Sequence, residues 1–182
     1  MSAGVAALAE FGDKTQLLAL LLSARFRAPV PLIAGIITAV LANHLISGEV
    51  GTLLAAWLSP ATMRWLLVVS FFAAALWMLI PDRAPLAQPP KTPLGAYGTA
   101  VVSFFLLEFG DKTQLATVAL AAKFQTLLPV VFGTTLGMMC ADVPAVLLGE
   151  AAARRIPLRL LNRLAAGAFA VLGVLVLAGA RA

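Results

Sequence analysis

Long apolar runs alternate with short polar segments along most of the chain. Six runs approach the roughly 20 apolar residues that an α-helix needs to cross a membrane. They cover residues 3–24, 30–50, 62–80, 96–121, 128–149 and 160–180. The pattern therefore predicts an all-α integral membrane protein with six transmembrane helices.

The polar segment between the third and fourth runs divides the chain into halves. Its sequence, PDRAPLAQPPKTP, is rich in proline and predicts a linker. The predicted organisation is a first three-helix repeat at 1–80, a cytoplasmic linker at 81–93 and a second three-helix repeat at 94–182. Residues 49–60 have two interpretations: they extend the second helix, or they lie at the membrane interface with Trp57 as an anchor.

The composition agrees with a lipid-embedded protein. Of the 182 residues, 62% are hydrophobic and 12% are charged, whereas soluble domains average about half apolar and about a quarter charged. A chain of this size cannot bury so much apolar surface in one water-soluble core. The single cysteine, Cys140, excludes an internal disulfide and a cysteine-based metal site.

The positive charges are distributed unequally between the two sides of the predicted helices. The first, third and fifth connections hold Arg25, Arg27, Arg83, Lys91, Arg154, Arg155, Arg159 and Arg163, and the opposite side holds Arg64, Lys123 and Arg181. Lys and Arg accumulate in cytoplasmic loops, so we expect the first set to be cytoplasmic. This bias predicts a bacterial-type inner membrane protein with both termini outside, and it explains the net charge of +5 without a nucleic-acid partner.

An internal repeat is the strongest feature of the sequence. The segment EFGDKTQL at residues 10–17 recurs at residues 108–115, an offset of 98. The register continues, since Gly35 matches Gly133 at the same offset. Because each copy contains three predicted helices, the second copy must enter the membrane from the other side. This predicts two inverted repeats, an arrangement typical of secondary transporters with a site near the membrane midplane.

The repeated motif places acids deep in the membrane. Glu10 is about 15 Å along its helix, half the hydrocarbon thickness, and a carboxylate at that depth is functional by default. On a continuous helix, residues three apart share a face, so each glutamate would face its motif aspartate, with the motif glutamine one step further. An all-oxygen set suits hard divalent cations. The predicted metal ligands are Glu10, Asp13, Gln16, Glu108, Asp111 and Gln114.

Other polar residues of the helices have more than one interpretation. The motif lysines either neutralise an acid permanently or replace the cation in the empty transporter. The motif threonines point away from the acids by helical angle and would bond to their own helix carbonyls, and the motif glycines would let another backbone approach closely. A histidine and an aspartate at equivalent positions of the second and fifth helices form interhelical hydrogen bonds, support the site or relay protons. The predicted supporting or proton-coupling residues are Lys14, Lys112, Thr15, Thr113, His44 and Asp142.

The acids also indicate a mechanism. Crowded carboxylates in a low dielectric bind protons when no cation is present, so cation binding would expel protons and favour cation/proton antiport. A divalent-cation channel is an alternative, although inverted repeats favour alternating access. An intramembrane lipid pyrophosphatase is disfavoured because arginine, the preferred phosphate ligand, is absent from the predicted midplane.

Two E-x-G-D-[KR]-[ST] motifs in the first and fourth helices resemble the signature of a cation/proton antiporter family. That family includes calcium/manganese transporters of Golgi and chloroplast and bacterial manganese exporters, and is grouped with the lysine exporter superfamily. The resemblance implies that the motif acids are the ion ligands. It further implies a transporter, not an enzyme, that exports manganese or calcium in exchange for protons. The ion would then be a substrate and not a cofactor, and the sequence leaves a homo-oligomer open.

Overall fold

The computed structural model describes residue 4 and residues 14–79, 94–148 and 158–179. Seven α-helices and no β-strand occur in these residues, which agrees with the predicted all-α class. The helices are α1 (Lys14–Phe26), α2 (Pro29–Trp57), α3 (Pro60–Met78), α4 (Gly95–Glu108), α5 (Lys112–Phe124), α6 (Leu127–Leu148) and α7 (Leu158–Leu177).

Three of these helices contain stretches that are long and apolar enough to cross a membrane, namely Pro29–Trp57, Pro60–Trp77 and Leu127–Leu147. Two shorter apolar helical stretches are Gly95–Glu108 and Ala166–Leu177. The described helices are therefore those of a membrane protein. The predicted linker at 81–93 and most of the first half of the predicted helix at 3–24 lie outside the described residues.

Helix α2 is longer than the apolar run that predicts it. It continues to Trp57, so residues 49–57 extend the second helix, which is the first of the two interpretations. The chain then turns directly into α3. Ser59 caps α3 by accepting a hydrogen bond of 3.2 Å from the backbone N–H of Thr62, and Pro60 occupies the first turn, where its missing N–H is not needed.

The helix boundaries repeat with the same offset as the sequence. Helix α2 begins at residue 29, directly after the turn that follows α1, and α6 begins 98 residues later, at residue 127, directly after the turn that follows α5. The turns after α1 and α5 also correspond, since Arg27 and Gln125 both have positive φ, at 48° and 51°. The duplicated sequence thus forms duplicated local structure.

Two apolar cores hold the helices together. One core lies among α3, α5 and α7, with Phe71, Leu120 and Phe169 fully buried. The other lies among α1, α2, α4 and α6, with Ile36 and Phe104 at its centre. Helix α2 contacts α4, α5 and α6, so side chains at its middle lie where the two motif-bearing regions can meet.

Glycines allow α2 to approach its neighbours closely. A Cβ atom on Gly35 would lie 2.6 Å from the carbonyl oxygen of Tyr97 and 2.8 Å from the Cβ of Ala100, both on α4. A Cβ on Gly51 would collide with the carbonyl oxygen of Val118 on α5. These contacts fix α2 against both helices that flank the second motif.

Candidate functional site

The fourth predicted transmembrane helix is interrupted inside the second motif. Helix α4 ends at Glu108 and α5 begins at Lys112, with Asp111 as the N-cap residue of α5. Gly110 between them has φ of +80°, a conformation that glycine adopts without steric cost. The backbone N–H of Gly110 donates to the side-chain oxygen of Gln114 at 2.6 Å, which satisfies a donor that the interruption leaves outside the helix.

This break corrects three expectations. Glu108 and Asp111 do not share one face of a continuous helix, because the helix stops between them. Among the described residues, no neighbouring atom lies within 4 Å of a Cβ built on Gly110, so in this part of the chain the glycine serves the turn and not a close approach of another backbone. Thr113 does not point away from the aspartate: its hydroxyl donates to Oδ2 of Asp111 at 3.2 Å, a contact that the N-terminal turn of α5 permits.

Helix α2 holds Glu108 in place. The side chain of Glu108 is fully buried, and its Oε2 accepts a hydrogen bond of 3.2 Å from Nδ2 of Asn43. The same amide donates to the carbonyl oxygen of Phe105 at 3.1 Å. Nε2 of His44 lies 3.2 Å from Oε1 of Glu108, but the two atoms are not aligned as a hydrogen bond. The acid is thereby fixed by an amide and faces a histidine.

His44 is supported on its other side by helix α6. Its Nδ1 lies 3.0 Å from the hydroxyl of Thr134 and 3.1 Å from the hydroxyl of Thr135. A hydroxyl can either donate or accept, so Nδ1 has a partner whether it carries a proton or not. A proton on Nε2 would make the approach to the Glu108 carboxylate favourable. His44 is fully buried and has hydroxyl partners on α6.

Asp111 connects the two copies of the motif. Its Oδ1 lies 2.8 Å from Nζ of Lys14 at the start of α1, and the aspartate side chain is 1% exposed. A carboxylate at the N-terminus of a helix is also favoured by the unpaired N–H groups and the helix dipole. The lysine of the first motif therefore lies at the aspartate of the second, a tertiary contact that helical spacing does not predict.

The motif glutamines and Thr15 occupy different surroundings. Gln16 is 5% exposed, and its Nε2 donates to the carbonyl oxygen of Ala141 on α6 at 3.3 Å. Gln114 is half-buried and uses its oxygen at the helix break, as described above. Thr15 is fully buried next to Lys14.

Asp142 is fully buried on α6, one residue beyond the carbonyl that Gln16 contacts. Lys112 begins α5, although its side chain lies outside the described residues. Glu10, Asp13 and Gly12 are also outside them.

The sequence does not single out two residues of this region. Thr134 and Thr135 hold His44, and the available signal is a pair of adjacent threonines within an otherwise apolar run. Within the residues that the structure describes, no three His, Cys, Asp or Glu side chains are arranged to hold a metal ion.

The comparisons with known proteins agree with the motif. The family described as "Divalent cation/proton antiporter GDT1" matches residues 1–85 and 96–182. A protein of Vibrio cholerae serotype O1 (strain ATCC 39541 / Classical Ogawa 395 / O395), named "Putative manganese exporter", is 46% identical over 169 residues, which cover 92% of this chain and 84% of the relative. No solved structure matches. The resemblance inferred from the motifs is confirmed, and the chain belongs to the divalent cation/proton antiporter family GDT1, a family of transporters and not of enzymes.

Proposed function

We propose that this protein exports Mn²⁺ from the cytoplasm across the inner membrane in exchange for protons, with Ca²⁺ as the alternative substrate. The observation that carries the proposal is the ion pair between Lys14 and Asp111, which joins the two motif copies at a buried carboxylate. The family description supports proton exchange, and the name of the Vibrio relative supports manganese.

The proposed architecture is six transmembrane helices in two inverted three-helix repeats. The offset of 98 between the starts of α2 and α6, and the matching turns at Arg27 and Gln125, support a duplication, and three helices per repeat would require inversion. Helices α4 and α5 together would form the fourth transmembrane segment, interrupted at the motif. Discontinuous helices of this kind recur at the substrate sites of secondary transporters. The charge bias of the connections supports termini outside.

The proposed cation ligands are the four motif acids, with the motif glutamines as neutral donors. Glu108 and Asp111 are buried, and they contact Asn43 on α2 and Lys14 on α1 respectively. Buried acids held in this way support a role as ligands and not as water-exposed surface charges. Glu10 and Asp13 would supply the acids of the other repeat. The set would contain only oxygen, which suits Mn²⁺ and Ca²⁺ better than it suits zinc. Gln16 donates through its nitrogen, so its oxygen is the atom that would bind a cation.

Lys14 and the cation would bind the carboxylate of Asp111 alternately. Its ammonium neutralises Asp111, and a divalent cation on the same carboxylate would compete with it. The buried contact of His44 with Glu108 supports a second exchange, in which a proton and not a lysine compensates the acid. Together these contacts favour antiport, because the cation would displace the ammonium of Lys14 from Asp111 and would compete with a proton for Glu108.

Proteoliposomes test this mechanism and separate it from the channel alternative. The purified protein is reconstituted with an acidic lumen, and Mn²⁺ is added outside. An antiporter accumulates Mn²⁺ in the lumen as protons leave, and a protonophore abolishes the accumulation. Uptake that is the same with and without the pH gradient would contradict antiport and favour a channel. Replacing Mn²⁺ by Ca²⁺ or Mg²⁺ in the same assay determines the substrate.

A further inference from the structure

A cavity lies at the end of the bundle where α2, α5 and α7 end and α3 begins. Its volume is about 550 Å³. Its polar lining consists of Arg64, Lys123 and Gln125, and its apolar wall includes Leu58, Met63 and Val176. None of the described motif residues lines it, so we treat it as separate from the proposed cation site.

Among the described residues, the lining of this cavity carries two positive side chains and no acid. Nζ of Lys123 is shielded from solvent and has no hydrogen-bond partner in the described part of the chain. The ammonium lies 5.5 Å from the ring centre of Phe124. Lys123 is the penultimate residue of α5. An anion in the cavity would compensate the desolvation of this charge.

Arg64 is positioned for the same anion. Its Nη2 donates to the carbonyl oxygen of Leu177 near the end of α7, which anchors the guanidinium at the cavity. A guanidinium has five N–H groups, so the others can address a ligand. Planar guanidinium groups match the oxygen spacing of phosphate. Gln125 adds an amide that can donate as well.

The surroundings indicate a lipid as the source of the anion. Trp57 and Trp65 lie at this end of the bundle and are 85% and 62% exposed, and exposed tryptophans mark the membrane–water interface. Basic pockets between transmembrane helices bind anionic lipid headgroups at the cytoplasmic face of membrane proteins, and the same charge complementarity would operate at this end of the bundle. The apolar wall beside the cations would accept the glycerol and first methylenes of an acyl chain.

We propose that this cavity binds the phosphate group of an anionic phospholipid, held by Lys123 and Arg64. The site would stabilise the junction of α3, α5 and α7 at the outer end of the bundle. Lipid binding there would not depend on cation transport, so the site would also be occupied while the protein is not transporting.

Native mass spectrometry of the full-length protein tests this site with phosphatidylglycerol, phosphatidylcholine and inorganic phosphate as separate probes. We expect phosphatidylglycerol to remain bound at least about tenfold more tightly than phosphatidylcholine, because charge-assisted hydrogen bonds are the strong ones. Lys123→Met and Arg64→Gln should each remove most of this preference. Lys123→Met removes a desolvated charge and is expected to fold, so the test does not depend on the Arg64 variant.

Arg27→Gln is the matched control. It also removes one positive charge, and the equivalent residue of the other repeat, Gln125, already shows that glutamine fits this backbone conformation. Its retention of phosphatidylglycerol should match that of the unaltered protein. An equal loss in Arg27→Gln and Lys123→Met, or retention of inorganic phosphate with no preference between the two lipids, would overturn the proposal.

Discussion

Lys14 and Asp111 form an ion pair of 2.8 Å between the first copy of the motif and the second. The two residues are 97 positions apart in sequence, and each belongs to the segment that repeats. Helical spacing alone pairs Lys14 with Glu10, one turn earlier in its own helix. The observed contact instead links the halves of the duplication at a buried acid.

A double-mutant cycle measures this link. We expect Lys14→Gln and Asp111→Asn to couple by roughly 1–2 kcal/mol, within the range for residues in direct contact. The lysine is 23% exposed, so solvent screens the pair and the value should stay below that of a fully buried one. Thermal unfolding of the two single variants and the double variant in one detergent gives the coupling energy.

The control is a second double-mutant cycle that combines Lys14→Gln with Glu49→Gln. Glu49 is an exposed acid on α2, and the equivalent position of the second repeat is Leu147. Its effect should add to that of Lys14→Gln within experimental error. Equal coupling of Lys14 to positions 49 and 111 would show that the ion pair has no energetic role in the folded protein.

Transport should depend on the buried acids and not on exposed ones. Asp111→Asn and Glu108→Gln keep the shape of each side chain and remove the negative charge that a divalent cation needs. We expect Mn²⁺ flux in proteoliposomes to fall at least about tenfold in both, since a charge-assisted ligand contact contributes more than about 1.4 kcal/mol. Glu49→Gln should retain flux. Wild-type manganese tolerance in cells that carry Asp111→Asn would refute the ligand assignment.

Much of the site can be predicted from the sequence because it depends on the duplicated motif and on the hydrophobic pattern around each copy. Eight identical residues at one offset identify the duplication, and the depth of Glu108 in an apolar run predicts its burial, which the structure shows. The periodic pattern also predicts the starts of α2, α3 and α6 within two residues. These features depend only on hydrophobicity and spacing.

The remaining features depend on tertiary contacts. A Glu-x-x-Asp spacing fits a continuous helix, so it conceals the break at Gly110; the only local signal is a glycine inside a helical pattern. The partners of His44, which are Glu108, Thr134 and Thr135, come from other helices. No periodicity within one segment identifies them.

The break between α4 and α5 yields its own prediction. Alanine at position 110 would have to adopt a φ of +80°, at a cost of about 1–2 kcal/mol. We therefore expect Gly110→Ala to lower the thermal midpoint and to shift Asp111 away from the site, with loss of Mn²⁺ flux. Gly110→Asn should be milder in both measurements, because asparagine tolerates left-handed backbone. Equal effects of alanine and asparagine would show that backbone conformation is not what requires glycine there.

The close packing of α2 against α4 can be separated from the site chemistry by a change at Gly35. A methyl group there would lie 2.6 Å from the backbone oxygen of Tyr97, which cannot rotate away. We expect Gly35→Ala to destabilise the protein by roughly 1–3 kcal/mol, the usual cost of overpacking. Because α2 also carries Asn43 and His44, displacement of the helix should weaken their contacts with Glu108, and Mn²⁺ flux should fall together with stability.

Gly167→Ala provides the matched comparison on α7. In the described part of the chain, no neighbouring atom lies within 4 Å of a Cβ built on Gly167, and its backbone is helical. Alanine is favoured over glycine inside a helix by about 0.5–1 kcal/mol, so this variant should unfold at the same or a higher temperature and transport normally. Thermal unfolding and Mn²⁺ flux of the two variants are measured side by side. If Gly35→Ala were as stable as Gly167→Ala, the close approach of α2 to α4 would not be a determinant of the fold, and the position of Glu108 would have to depend on other contacts.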